Sequence, residues 1–207
     1  MYFDTHTHLD DEKFDPDREL VIENLKKEGV SLAVNVGADL TSSKNSIALA
    51  EQYDFIYAAV GVHPNEVGEM QDEDLETLAD MAKHEKVVAI GEIGLDYHYD
   101  EPGRDVQKLW FEKQLRLAQA LNMPFIVHDR DAHQDTLELL KKVIARILNS
   151  YYENRRTVKL FFYYPSDEYI AYLMTVEELL FSDEIDCRDL FDGNNVREKI
   201  VIFEIAV

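Results

Sequence analysis

Short apolar runs alternate with helical patterns through the first 130 residues, and this alternation limits the fold more than any other feature of the sequence. Each run is rich in Val, Ile, Phe or Ala and is nearly continuous rather than alternating with polar residues. A strand that is buried on both faces of a sheet has this pattern. The predicted strands are residues 2–4, 31–37, 55–62, 87–93 and 124–127.

Helical patterns fill the intervals between these strands. Asp15 followed by Pro16 predicts an N-cap and a first helical residue, and Gly29 predicts the end of that helix. Five successive β-then-α units predict a parallel sheet covered by helices, either an open doubly wound sheet or a closed (β/α) barrel. The further predicted helices are residues 42–53, 72–84, 104–121 and 133–148.

Composition excludes several classes of site. The only cysteine is Cys187, so there is no intramolecular disulfide and no cysteine-based zinc site, and any metal must be held by His, Asp or Glu. No glycine-rich nucleotide-binding loop follows a predicted strand. The sequence has no apolar run long enough for a membrane span and no signal-peptide pattern at its start, so we expect a cytoplasmic protein that does not associate with membranes.

The net charge limits how the chain can meet nucleic acid. Forty-two acidic residues against twenty-one basic ones give a formal charge of −21. Such a surface repels polyanions, which argues against binding by phosphate neutralisation alone. It does not exclude an enzyme whose metal ions meet the phosphate locally.

Polar side chains cluster at the carboxyl ends of the predicted strands, the face on which α/β enzymes place their sites. Imidazoles together with a carboxylate form a ligand set for zinc or a similar divalent ion. If Glu92 bridged two ions, both would polarise phosphate oxygens. The residues at the strand ends are His6, His8, His63, Glu92, Asp96, His128, Asp129 and Arg130.

Histidines outside the strand ends are predicted to be structural or solvated. These are His84, His98 and His133. The role of His63 stays open at this point, because an imidazole before Pro64 can either belong to the site or stabilise its own loop.

Four linked motifs, FDTHTHL, GVHP, GEIGLDY and PFIVHDRDA, resemble the TatD family of metal-dependent deoxyribonucleases over residues 1–142. The resemblance implies a (β/α)8 TIM-type barrel and hydrolysis of DNA phosphodiester bonds with two divalent ions, magnesium, manganese or zinc. It also implies that His6 and His8 bind the first ion, that Glu92 bridges, that His128 binds the second ion, and that His63 and Arg130 lie near the scissile phosphate.

Residues from about 145 to 207 depart from the family pattern. TatD proteins continue with an H-C/S-F-S-G motif and an E-T-D motif, whereas here no histidine follows His133, and Ala206 stands where the aspartate would follow Glu204. A barrel of this type typically needs about 250 residues. We therefore expect a single domain over 1–207 whose barrel is incomplete or altered in its C-terminal strands, through a frameshift, an altered terminus or divergence.

Two consequences follow from the missing motifs. Each ion loses one ligand, which lowers its affinity, and occupancy of the second site is the weaker expectation. An unclosed sheet edge would be covered by Phe161, Phe162 and Tyr163 or would promote self-association. The chain is therefore either a TatD-type hydrolase with DNA as substrate and no predicted protein partner, or a truncated, impaired paralogue that keeps a partial metal site and acts as a binding protein.

Overall fold

The structure of the protein is a computed structural model that describes the backbone of residues 2–151, 159–163, 172–174 and 200–205, and the side chains of residues 2–143. Its main element is one eight-stranded sheet with five α-helices. The strands are β1 Tyr2–Thr7, β2 Val30–Val36, β3 Ile56–Val60, β4 Val87–Asp96, β5 Phe125–Arg130, β6 Lys159–Tyr163, β7 Tyr172–Met174 and β8 Ile200–Ile205. The helices are α1 Arg18–Lys27, α2 Leu40–Gln52, α3 Asp72–Met81, α4 Arg104–Leu121 and α5 His133–Tyr151.

The first five strands form a parallel, curled half-barrel in chain order, as the alternating pattern predicts. The prediction for the first helix is wrong at its start: the N-cap is Asp17, not Asp15. Arg18 explains the difference, because its guanidinium donates to the Asp15 carboxylate and to main-chain carbonyls of the preceding loop, which keeps that segment in turns. Gly29 ends the helix with a φ of 93°, a left-handed conformation that favours glycine.

The C-terminal strands differ from those of a regular (β/α)8 barrel, as predicted. β8 inserts between β5 and β6, and β7 runs antiparallel to β6. No pairing between β1 and β7 is present in the described part of the chain. Glu204 lies on a strand beside β5, in register with His128, and therefore does not occupy the place of an eighth barrel strand next to β1.

Two expectations for this region lie outside the described residues. The side chains of Phe161, Phe162 and Tyr163 are not among those described, so the predicted self-association stays a prediction. The assignment of residues 1–207 to a single domain likewise stays a prediction. No helix in the described ranges is both long and apolar enough to cross a bilayer.

The main core lies between the sheet and the helices. Apolar side chains of the helices pack there against apolar side chains on the outer face of the strands. The largest fully buried ones are Ile22, Leu78, Phe111, Leu115 and Leu140 on the helices, and Ile56, Ile90, Ile93 and Leu95 on the strands. Burying such side chains contributes about 1.5–3 kcal/mol each, before the entropy of ordering is subtracted. This layer fixes the strands whose carboxyl ends carry the polar residues.

Gly94 allows β4 and β5 to approach closely next to the polar cluster. Its φ is 156°, and a Cβ at this position would lie 1.9 Å from the carbonyl oxygen of His128. A side chain at residue 94 would therefore separate the two strands that carry Glu92 and His128.

Candidate metal centre

Two histidines and one glutamate form a first ligand group, defined as His6, His8 and Glu92. His6 belongs to β1 and His8 follows it, so the two imidazoles leave the same end of the strand. Their Nε2 atoms lie 3.0 Å apart, at 3.4 and 3.7 Å from Oε2 of Glu92. The three donor atoms thus face a common point.

A buried amide holds the end of β1 in place. The Oδ1 atom of Asn35 accepts from the Thr7 hydroxyl and from the main-chain N–H of Leu9, and its Nδ2 donates to Asp10 and Ser46. Asn35 is fully buried on β2, so the loop that carries His8 is tied to the neighbouring strand.

The orientation of His8 is set by β2. Its Nδ1 lies 2.9 Å from the carbonyl oxygen of Val36, which can only accept, so Nδ1 carries the proton and the lone pair is on Nε2. That lone pair is directed at the first ligand group. A backbone carbonyl behind the ring is the usual way in which proteins orient a metal-binding histidine.

A second ligand group consists of His63, Glu92 and His128. Nδ1 of His128 lies 2.7 Å from Oε1 of Glu92 and 3.1 Å from Nε2 of His63. Glu92 is therefore shared: Oε2 faces the first group and Oε1 faces the second. His128 comes from β5 and His63 from the loop after β3, so three different strands supply the group.

Electrostatics favour an ionised Glu92 in spite of its burial. Burial raises the pKa of this carboxyl, but hydrogen bonds from His128 and His6 and the nearby imidazoles outweigh that effect, and the pKa stays well below its usual value. For His128, burial lowers the pKa, whereas Glu92 and Asp96 raise it further, so the net shift is upward. Glu92 is therefore ionised, and the raised pKa of His128 favours the protonated ring that donates to it.

Asp96 stands behind His128 and fixes the ring. Its Oδ2 lies 3.2 Å from Nε2 of His128, and the side chain is only 1 % exposed. A carboxylate accepts there, so Nε2 keeps a proton, and a neutral His128 ring would have its lone pair on Nδ1, the atom on the side of Glu92 and His63. Its Oδ1 also accepts from the main-chain N–H groups of His98 and Tyr99.

His63 has the opposite tautomer. Its Nδ1 accepts from the main-chain N–H of Asn65, so in the neutral ring the proton is on Nε2, the atom that faces His128 and Glu92. Burial is the main cause that lowers the pKa of His63 to about 4. The ring is thus a neutral hydrogen-bond donor at neutral pH rather than a lone-pair donor.

The donor set of the first group fits a divalent cation. Two nitrogen ligands about 2.1 Å from a tetrahedral ion lie roughly 3.4 Å apart. The 3.0–3.7 Å separations between the nitrogen and oxygen donors of the first group bracket this value. Two imidazole nitrogens that face each other beside a buried, ionised carboxylate repel electrostatically unless a proton or cation lies between them, so this geometry suits a metal ion.

Arg130 and the three histidines predicted to be structural or solvated lie outside both ligand groups. Arg130 ends β5, and its guanidinium lies 5.3 Å from the centre of the Tyr99 ring. The three histidines predicted to be structural or solvated each lie against a carboxylate and belong to neither ligand group. The pairs are His84 with Glu51 at 3.1 Å, His98 with Asp131 at 3.5 Å and His133 with Asp129 at 2.8 Å.

Sequence reasoning missed the residues that support the ligands. Asn65 donates from its main chain to His63 and from its amide to Asp96 at 3.4 Å, and Gln107 donates to and accepts from the main chain of Asp96. Asn35 was missed as well. A polar residue inside an otherwise apolar strand was the available signal for Asn35, whereas the amides of Asn65 and Gln107 give no pattern in sequence.

A half-barrel that collects imidazoles and carboxylates at the carboxyl ends of its strands is typical of metal-dependent hydrolases built on (β/α) barrels. Comparisons with known proteins agree. Residues 3–174 match the family model described as TatD related DNase. The chain therefore belongs to the TatD family.

Individual relatives match about two thirds of the chain. An uncharacterized metal-dependent hydrolase, YabD of Bacillus subtilis, is 48 % identical over 142 residues, which are 69 % of this chain and 56 % of the relative. The 3'-5' ssDNA/RNA exonuclease TatD of Erwinia tasmaniensis is 33 % identical over 146 residues, 70 % of this chain and 56 % of the relative. The crystal structure of YJJV, a TatD homologue of Escherichia coli, superposes with a TM-score of 0.64 at 34 % identity, covering 69 % and 56 % of the two chains. The chain thus spans just over half the length of the relatives it matches.

Proposed function

We propose that this protein is a metal-dependent hydrolase of phosphodiester bonds, with DNA as its substrate. The observation that carries the proposal is the shared carboxylate of Glu92, whose two oxygens face two separate sets of imidazoles. A single bridging carboxylate between two ligand groups suits two-metal hydrolysis of phosphate esters.

The residues divide into ligands and groups that act on the substrate. His6, His8 and Oε2 of Glu92 would hold one divalent ion, and Nδ1 of His128 with Oε1 of Glu92 would hold the other. Bound ions of this kind polarise phosphate oxygens and provide hydroxide near neutral pH. With their ring orientations fixed by Val36 and Asp96, His8 and His128 are already arranged for this task.

His63 acts as a hydrogen-bond donor to the substrate rather than as a ligand. Its Nε2–H group faces the second ligand group, and its lowered pKa keeps the ring neutral at pH 7. A neutral donor next to the ions stabilises charge that develops on a phosphate oxygen without repelling the metal ions. Arg130, at the end of β5, supplies a permanent positive charge for the phosphate of the bound DNA strand.

Strand polarity and the choice between DNA and RNA are part of the same proposal. A relative that is 33 % identical is named a 3'-5' ssDNA/RNA exonuclease, which supports degradation of a single strand from its 3′ end. The net charge of −21 supports a substrate that is held by metal ions and a few local groups rather than by a basic surface.

Metal content and hydrolysis measured together test the proposal. The purified chain should hold close to two divalent ions by elemental analysis and should shorten a 5′-labelled single-stranded oligonucleotide. Glu92→Gln should lose both properties, because one substitution weakens both ligand groups. Glu76→Gln, on the exposed side of α3, is the matched control and should keep both. A chain that holds no metal and releases no nucleotide refutes the proposal.

A second candidate is an impaired paralogue that keeps a metal centre and binds a partner without hydrolysis. The observation in its favour is the extent of the match, because the aligned residues make up 56 % of the curated relatives. Bound metal without release of nucleotides, at several times the metal concentration needed for saturation, would select this candidate.

A further inference from the structure

Tyr99 is an exposed aromatic ring on the same face as the metal centre. It lies in the loop just after β4, and 63 % of its surface is accessible. The other exposed large apolar residues of the described chain lie in β1, α1, β2 and α4, namely Tyr2, Phe3, Leu20, Leu32, Val106 and Leu109. Tyr99 is therefore the exposed ring that follows the carboxyl end of a strand, where a bound substrate would pass.

The ring is held in place by groups that also belong to the site. The main-chain N–H of Tyr99 donates to Oδ1 of Asp96, whose other oxygen lies 3.2 Å from His128. The guanidinium of Arg130 lies 5.3 Å from the ring centre, and the His98 ring packs edge-on against it at 4.9 Å. We call Tyr99, His98 and Arg130 the Tyr99 platform.

Charge makes such a platform useful to this chain. With a formal charge of −21, the surface repels a polyanion, so ionic contacts alone give weak binding. Stacking of a base on an aromatic ring does not depend on phosphate charge, and each stacked base strengthens binding about five- to hundredfold. An arginine beside the ring adds a contact for the adjoining phosphate.

We propose that the Tyr99 platform is a nucleobase-stacking subsite, which holds an unpaired base next to the phosphodiester at the metal centre. The inference rests on the proposed function and adds the recognition of single-stranded nucleic acid to it. A base inside a duplex is already stacked on both faces, so this ring favours a single strand or a frayed end.

Equilibrium binding of matched oligonucleotides tests the platform. The probes are short single strands with phosphorothioate linkages, one with all bases and one with abasic residues, bound to the full chain in Mn²⁺. The parent chain should bind the base-containing strand more tightly than the abasic strand by about five- to hundredfold. Tyr99→Ala should lose this difference, and Tyr99→Phe should keep it because the ring is retained.

Controls separate the platform from the metal centre. Leu109→Ala removes another exposed apolar side chain, from α4, and should keep the preference for bases. Equal binding of both strands by the parent chain, or an unchanged preference in Tyr99→Ala, overturns the platform. Hydrolysis of an abasic strand with ordinary phosphates by the parent chain reports the metal centre alone, so its loss points to the proposed function and not to the platform.

Discussion

Replacing Asp96 by asparagine is expected to weaken metal binding at the second ligand group without unfolding the chain. The carboxylate accepts from Nε2–H of His128 at 3.2 Å through one oxygen and from the N–H groups of His98 and Tyr99 through the other. Asparagine keeps an oxygen for the two main-chain donors. Its NH₂ group then faces another donor, so the imidazole loses the partner that directs Nδ1 toward Glu92.

The size of the effect follows from the lost hydrogen bond. A hydrogen bond to a charged group contributes about 1.5–3 kcal/mol. Removal of the partner behind a metal-binding histidine typically lowers metal affinity about 10- to 100-fold, which corresponds to roughly 1.4–2.7 kcal/mol. The two figures agree, and we expect a loss within this range.

Calorimetric titration of the metal-free chain with Mn²⁺ or Zn²⁺ measures the effect, and ¹⁵N NMR of the His128 ring reports which nitrogen carries the proton. Asp80→Asn is the control, because this exposed aspartate on α3 pairs only with Lys83 among the described residues and lies outside both ligand groups. Identical second-site affinities of Asp96→Asn and the parent, with an unchanged His128 tautomer, would refute the reasoning.

Three further perturbations test the structure behind the site. In denaturant titrations, Gly94→Ala should lower the free energy of unfolding by roughly 3 kcal/mol or more, since its Cβ would meet a β5 carbonyl oxygen at 1.9 Å. The control Gly103→Ala, with open space around the residue, should change the free energy of unfolding by less than about 1 kcal/mol. Gln114→Leu should cost about 2–4 kcal/mol in the same assay, because it strands the buried N–H and C=O of Val62. In metal-free protein, His63 should titrate by NMR near pH 4. Because its folded pKa lies below the unfolded value of 6.5, its contribution to stability is full above pH 6.5 and falls as the pH drops toward 4. A titration midpoint near pH 6.5 would contradict this prediction.

The sequence predicts the layered fold well where apolar periodicity is strong. The helix expected at residues 104–121 is α4 as observed, and five parallel strands follow the predicted order. The predicted ends of β1, β4 and β5 are too early, because polar residues and glycine interrupt the apolar pattern while the main chain continues to pair, whereas the predicted ends of β2 and β3 are too late. β4 thus runs to Asp96, so this residue lies within the strand rather than after the predicted end at residue 93.

The candidate site was predictable in its residues but not in its atoms. Residue type and strand-end position selected a larger set that contains His6, His8, Glu92 and His128. The resemblance to the TatD family singled out these four as ligands, and the structure brings them together. Which nitrogen of each ring faces the centre depends on distant partners such as Val36 and Asp96, and no local pattern encodes them. The insertion of β8 between β5 and β6 is equally non-local and could not be read from the sequence.

The order of the strands in the sheet allows the metal centre to form before the sheet is complete. Both ligand groups draw only on residues up to His128, whereas β6 reaches the rest of the sheet only through the last strand, β8. During synthesis the first five strands can pair in the order in which they emerge, and ion capture can begin at that stage. β6 and β7 would then stay unpaired with the first five strands until β8 is made, so a ribosome-bound chain from which β5 has just emerged is the earliest species in which metal protection should be detectable.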